Sequence, residues 1–130
     1  MRYRYLIAIV VVFALLAAFL NSRSEMEGWL SYEKGLEESK RTGKELFIFI
    51  SSPTCPICKD FRRFFTENRT AFEFISSRFV PVYIPDPLNA PVFVESVPKF
   101  CVGYENDLRC FYATSGDKLI EILRGGKLGS

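Results

Sequence analysis

The stretch "SSPTCPIC", Ser51 to Cys58, stands directly after the apolar run "ELFIFI" (45–50) and directly before "KDFRRFFTEN" (59–68). The run before it is continuous and apolar from Leu46 to Ile50, the pattern of a strand buried on both faces and hence central in a sheet covered by helices. After it, Ile57, Phe61, Phe64 and Phe65 fall at i, i+4, i+7 and i+8, one helical face of large apolar groups. Two thiols at a strand-to-helix junction admit three chemistries: a redox dithiol, half of a zinc site, or a structural disulfide.

Local geometry discriminates among them. With Cys55 at the N-cap, Pro56 falls at N1, the helical position where proline is favoured, and Ile57 and Cys58 become N2 and N3 with amides aimed back at the Cys55 sulfur. A thiolate there accepts those bonds at the positive end of the helix dipole. Lowering a thiol pKa from about 8.5 to about 7 needs roughly 2 kcal/mol, close to what a well-placed helix terminus supplies. Cys58, one turn on, is near enough to close a disulfide and is shielded by the helix, so Cys55 attacks and Cys58 resolves the mixed disulfide. A purely structural Cys55–Cys58 bond closes too small a loop to restrain the unfolded chain much.

Working outward, "SYEKGLEESKRTGK" reads as a short amphipathic helix with Tyr32 and Leu36 inward, Ser31 as N-cap and Gly43 as the stop. Thr70 and Glu73 form a capping box ahead of "AFEFISSRF", starting a second helical segment at Asn68 to Thr70. "FVPVYI" is a second strand with Pro81 near its start, and "PDPLNAPVFVES" a loop with at most one helical turn after Asn89. "PKFCVGY", "END" and "LRCFYAT" read as a β-hairpin, and "SGDKLIEILRGG" as a short helix capped by Ser115 or Asp117, with Leu119, Ile122 and Leu123 inward. Two strands joined through a helix imply a parallel unit, to which the hairpin adds antiparallel strands. Most of the 13 phenylalanines lie at helix or strand spacing and are assigned to the core, and Arg62 and Arg63 to the solvated face of their helix.

The N-terminus reads "MRYRY" and then an apolar segment from Leu6 to Leu20. Such a segment is a secretory signal or a signal anchor, and the absence of a small-x-small cleavage site favours retention. Fifteen or sixteen helical residues reach roughly 24 Å, short of a hydrocarbon core of about 30 Å unless the flanking residues help. Arg2 and Arg4 put the N-terminus in the cytoplasm, so the expected organisation is a signal anchor or signal peptide with linker over 1–24, inserted through residues 5–20, and an extracytoplasmic domain over 25–130, in the periplasm or at the cell surface. The 130 residues carry 17 basic and 15 acidic side chains, mixed, for a net charge of +2, which excludes a nucleic-acid partner. No histidine is present, which removes the commonest metal ligand and any Cys-His or Ser-His hydrolase.

"KELFIFISSPTCPICKDF" followed by "SVPKFCVGYENDLRCF" resembles the thioredoxin superfamily over about Gly28 to Gly126, with Cys-Pro-Ile-Cys as the active-site motif and Val97-Pro98 as the proline the family holds in cis beside its dithiol. The flanking "GLEESKRTGKELF" and "FVPVYI" resemble exported members such as the C-terminal domain of the reductase DsbD. The resemblance implies an α/β thioredoxin-like fold, a central mixed sheet flanked by helices and here preceded by the membrane-anchor helix. It implies thiol-disulfide exchange on exported protein substrates by Cys55 and Cys58, no cofactor beyond the dithiol, and a redox partner that recycles it. It also implies a substrate surface made by Thr54, Pro56, Ile57, Val97 and Pro98, where the Val97 backbone pairs with an extended substrate segment. Two positions depart from the family: many thioredoxins have tryptophan before the first cysteine and a buried aspartate six residues before it, where this chain has Thr54 and Phe49. A carboxylate proton relay to the buried thiol is therefore absent, and the motif leaves the direction of electron flow open.

Outside the cytoplasm disulfides persist, so the even count of cysteines suggests two pairs. A hairpin turning at Glu105 and Asn106 sets Cys101 opposite Cys110 at a non-hydrogen-bonded position, alpha carbons roughly 4.5 Å apart, which predicts a stapling disulfide. The alternatives are two unpaired buried thiols or a second redox couple. At the level of the whole protein, the alternatives are a tethered binding or scaffold domain without turnover, and a zinc site built from all four cysteines.

Overall fold

The computed structural model describes residues 2–21 and 26–125; part of the expected linker, 22–25, and the tail, 126–130, lie outside them. Helix α1 covers Arg2–Asn21, α2 Tyr32–Thr42, α3 Pro56–Glu67, α4 Arg69–Arg78 and α5 Gly116–Gly125, while the strands are β1 Glu45–Ile50, β2 Phe79–Ile84, β3 Lys99–Tyr104 and β4 Asp107–Phe111. The sheet runs in the order β2-β1-β3-β4, with β1 parallel to β2 and the other pairs antiparallel. The apolar run thus takes the central position expected of it. Pro81 is tolerated because β2 is the outermost strand of the ladder, joined on its far side, among the described residues, only by a bridge from Leu30 to Val82.

Alternation along the strands sorts side chains into two cores. On one face Phe47, Phe49, Phe100 and Val102 meet Phe61 and Phe65 of α3, Ile75 of α4 and Leu119 and Leu123 of α5. The rings of Phe47, Phe49 and Phe100 stack at centroid separations of 5.2 to 6.0 Å, and Phe61 meets Phe100 edge-on at 4.9 Å. On the other face Leu46, Ile48, Ile50, Val80, Val82 and Ile84 meet Leu36 of α2 and the loop residues Val92 and Val94. Gly35 lets α2 lie against β2, since a Cβ there would stand 2.2 Å from a Val82 methyl.

Several expectations need correction. The first turn of α4 is capped by Asn68, whose Oδ1 accepts from the Ala71 amide at 3.0 Å, and not by a box of Thr70 and Glu73. The one helical turn in the long connection is a 3-10 turn at Pro87–Asn89, ending at Asn89. Ser115, not Asp117, caps α5, with its Oγ accepting from the Lys118 amide. Ile57 leaves the inner face of α3, where Cys58 takes its place, and Phe93 is exposed outside any core. In α1 the large apolar side chains from Tyr3 to Leu16 are exposed. Among the described residues no helix is long and apolar enough to cross a membrane, so the fold does not show the expected anchor.

Candidate active site

Strand β1 ends at Ile50 and the chain turns through residues 51–54 into α3, whose N-cap is Cys55 with φ −95° and ψ 111°. Pro56 opens the helix, where its missing amide costs nothing, and the Lys59 amide closes the first turn on the Cys55 carbonyl at 3.2 Å. Of the two amides expected to face the Cys55 sulfur, that of Cys58 donates to it at 3.1 Å. The two sulfurs are bonded, across a Cα separation of 5.2 Å. Their surroundings differ: Cys55 is half-buried, whereas Cys58 is 0% exposed and belongs to the core under α3. An incoming sulfur can therefore reach Cys55 and not Cys58.

The Val97-Pro98 bond is cis, and the Val97 carbonyl oxygen lies 4.0 Å from the Cys55 sulfur. Thr54, Pro56 and Ile57 are exposed around the dithiol, Val97 is half-buried and Pro98 is buried. The loop before Pro98 is braced from the start of β3. Lys99, 8% exposed, donates from Nζ to the Phe93 carbonyl at 2.8 Å and to the Glu95 carboxylate at 3.1 and 3.4 Å, and the Tyr112 hydroxyl donates to the same carboxylate at 3.0 Å. The Glu95 carboxyl is held below its ordinary range, first by its own backbone amide, then by Lys99 and Tyr112.

A second polar cluster ties α3 to the ends of β1 and β2. Arg62, assigned from the sequence to the solvated face, is half-buried, and its Nη1 donates to the Ser51 Oγ at 2.8 Å and to the Tyr83 hydroxyl at 3.4 Å. Ser51 is 0% exposed at the end of β1, and Tyr83 packs on Phe49 from β2 with centroids 5.3 Å apart. Arg63 is exposed, as expected.

In the hairpin, Tyr104 pairs with Asp107 and Cys101 with Cys110. The last two are joined, S–S 2.01 Å, with alpha carbons 4.0 Å apart. This bond belongs to the α2 face of the sheet, whereas Cys55 and Cys58 belong to the α3 face. The sheet between them prevents the four sulfurs from converging on one tetrahedral ion, which overturns the four-cysteine zinc alternative. Among the described residues no three metal-ligating side chains cluster.

The cysteines were identifiable from their spacing, and the cis proline from the family resemblance. Ser51, Arg62 and Tyr83 were not, nor was the Lys99–Glu95–Tyr112 brace. The one available signal for Arg62 was its position four residues after Cys58, which places it on the same helical face.

Comparison with known proteins agrees with this geometry. A family described as thioredoxin-like matches residues 28–102. An uncharacterized protein of Archaeoglobus fulgidus is 40% identical over 126 residues, covering 95% of this chain and 98% of that one. The solution structure of a thioredoxin from Thermus thermophilus superposes with a TM-score of 0.58 at 16% identity, over 75% of this chain and 85% of that one, a likeness of fold. These matches reach the superfamily and not the narrower likeness to the DsbD domain. A Cys-Pro-Ile-Cys pair opening a helix, a cis proline facing it across the sheet end and a family match running from Gly28 to Val102 lead to one conclusion: the chain belongs to the thioredoxin-like family.

Proposed function

We propose that the protein is a thiol-disulfide oxidoreductase acting on other proteins, with Cys55 as nucleophile and Cys58 as resolving thiol. The observation that carries this reading is the unequal setting of the pair: a reachable Cys55 sulfur that accepts the Cys58 amide at a helix start, beside a Cys58 closed into the core. From the dithiol state, the Cys55 thiolate attacks one sulfur of a substrate disulfide and expels the other as a thiolate, leaving a Cys55–substrate disulfide. Cys58, having given its proton to water, attacks Cys55, re-forms the intramolecular bond and releases the second substrate thiolate. Two electrons pass to the substrate, and a dithiol partner must return them. From the bonded state the same steps run backward and oxidise a substrate dithiol.

The peptide amide of Cys58 stabilises charge on Cys55 in either direction, and the helix dipole adds to it. An extended substrate segment would lie along Val97, bonding its main chain, over Pro98 and between the exposed Thr54, Pro56 and Ile57. Recognition through backbone groups makes the enzyme permissive toward sequence. We further propose that α1 holds the domain at a membrane with the domain outside the cytoplasm, because its large apolar side chains from Tyr3 to Leu16 are uncovered, a surface that water disfavours and lipid accepts.

Replacing Cys58 with serine tests the enzymatic reading, since the mixed disulfide then has no internal resolving thiol. Expressed in cells, Cys58→Ser should accumulate reductant-sensitive adducts with other proteins, and Cys55→Ser should not. A domain that only binds or scaffolds would trap none, and that outcome would overturn the proposal.

A further inference from the structure

Outside α1, five large apolar side chains among the described residues are exposed: Ile57, Leu88, Phe93, Tyr104 and Tyr112. Strands β1, β2 and β4 end, and β3 begins, at the end of the sheet that carries the dithiol. Ile57 lies in the first turn of α3, Leu88 in the turn after β2, Phe93 in the loop before β3 and Tyr112 directly after β4, so four of the five stand at that end. Tyr104 stands at the other, where its hydroxyl donates to the Gly43 carbonyl at 3.0 Å. Phe93 and Tyr112 are also held in place. Val92 and Val94 pack on the α2 side of the sheet, and Phe93 between them faces outward, 82% exposed. Its carbonyl accepts from Lys99 Nζ at 2.8 Å, and the same ammonium bonds the Glu95 carboxylate, to which the Tyr112 hydroxyl donates at 3.0 Å. Lys99 Nζ is 6.0 Å from the centre of the Tyr112 ring. Two exposed aromatic side chains therefore flank one buried lysine, the residue that directly follows Pro98. A ring left in water adds nothing to the core, whereas a ring already fixed through its backbone loses little freedom when an apolar group settles on it. Phe93 is four residues before Val97, at most about 14 Å along the chain. The Val97 carbonyl is 4.0 Å from the Cys55 sulfur, so an extended substrate bonded there covers the remaining span in about four residues.

We infer that Phe93 and Tyr112 are specificity-determining residues, an aromatic subsite for an apolar side chain that the substrate protein carries about four residues from its reacting cysteine. The inference rests on the thiol-exchange reading above and names the class of substrate that reading would take: protein segments whose cysteine has uncovered apolar neighbours, as in a chain whose own core has not closed around them. Main-chain pairing at Val97 stays permissive, and the two rings add a preference to it. Lys99 touches no substrate; it holds the Phe93 backbone and, through Glu95, the Tyr112 hydroxyl.

The test uses the full chain carrying Cys58→Ser, so that capture at Cys55 is read without the resolving step. The probes are glutathione disulfide and two symmetric peptide disulfides, with phenylalanine or with serine about four residues on either side of the cysteine. In each case the Cys55 thiolate attacks one sulfur, forms a disulfide with that half and expels the other half as a thiolate, and mass spectrometry follows the adduct with time. The phenylalanine peptide should be captured about five- to tenfold faster than the serine peptide. Adding Phe93→Ser, at a side chain too exposed to matter for folding, should remove that preference and leave capture of glutathione disulfide within about a factor of two. Phe93→Leu should retain most of the preference, and Tyr112→Ser should reduce it. Equal capture of the two peptides, a preference that survives Phe93→Ser, or equal slowing of all three probes would overturn the inference. So would a preference that fades as protein concentration rises, which would give the rings to a second copy of the chain. Glutathione disulfide keeps the two readings apart: if it too is not captured, the exchange reading fails and takes this one with it, whereas capture without peptide preference removes the subsite alone.

Discussion

The two cysteine pairs make the same covalent bond in two very different settings. Cys55–Cys58 spans one helical turn, its outer sulfur half-buried and facing the Cys58 amide at 3.1 Å, with the Val97 carbonyl 4.0 Å away. Cys101–Cys110 spans a β-ladder on the opposite face of the sheet, Cys101 at 0% exposure, both residues already held in register by the strands around them. In the first, the Cys58 amide donates to a sulfur that an incoming group can reach. In the second, Cys101 is closed into the apolar α2 core and Cys110 is half-buried against it. Chemistry follows from what surrounds a disulfide, and the proposed function gives turnover to the first pair and restraint of the chain to the second.

The sharpest way to break this contrast is to remove each pair and measure exchange with a model disulfide. Cys55→Ser should lower the rate by about three orders of magnitude or more, since the nucleophile is gone, whereas replacing both Cys101 and Cys110 with serine should leave it within about a factor of two. Stability should respond the other way round. Loss of the Cys101–Cys110 bond should cost about 2–3 kcal/mol in denaturant unfolding, the loop-closure entropy returned to the unfolded chain, against clearly less for the shorter Cys55–Cys58 loop.

A smaller effect isolates the hairpin from the dithiol. Gly103 in β3 has φ 139°, and a Cβ there would stand 2.1 Å from the Asp107 carbonyl oxygen. Gly103→Ala should therefore destabilise the domain by about 1–3 kcal/mol while leaving exchange at Cys55 intact in the folded fraction. The smallest effect concerns the loop that carries Val97. The Glu95 carboxyl is held low by its own amide, Lys99 and Tyr112, so its contribution is present above the ordinary carboxylate range and is lost as pH falls through the lowered folded value. Acidification through that range should loosen residues 93–97, read as faster amide exchange there, and Glu95→Gln should show the looser loop already at neutral pH with a modest rise in KM for a protein substrate. Equal protection at both pH values would remove the brace from the account.

Much of the fold could be read in advance because local rules and tertiary packing agreed. The uninterrupted apolar run 46–50 named the central strand, Ser31 and Gly43 bounded α2, and the two-residue turn at Glu105 and Asn106 set the register that brings Cys101 to Cys110. Failures came where two residues satisfied the same rule. Asn68 and Thr70 were both plausible caps, and Asn68 won because its Oδ1 reaches the Ala71 amide. Ile57 and Cys58 both fit the inner stripe of α3, and the phase of the helix buried the sulfur and exposed the isoleucine. Arg62 read as surface because arginine on an amphipathic helix usually is, and only the approach of Ser51 and Tyr83 from neighbouring strands gave its charge partners inside.

By itself the sequence determined the helix start at Cys55: a thiol, a proline and a second thiol in that order fit the geometry of an N-cap, an N1 position and an N3 amide, and those are constraints of adjacent residues. What only the tertiary structure decided is what meets that helix from far along the chain, with Val97 42 positions away from Cys55 and Tyr83 21 positions away from Arg62. Nearby residues are tied by covalent geometry, so their pattern can be read directly. Distant ones meet only when the sheet assembles and the helices close on its faces, so the surroundings of the dithiol are a property of packing.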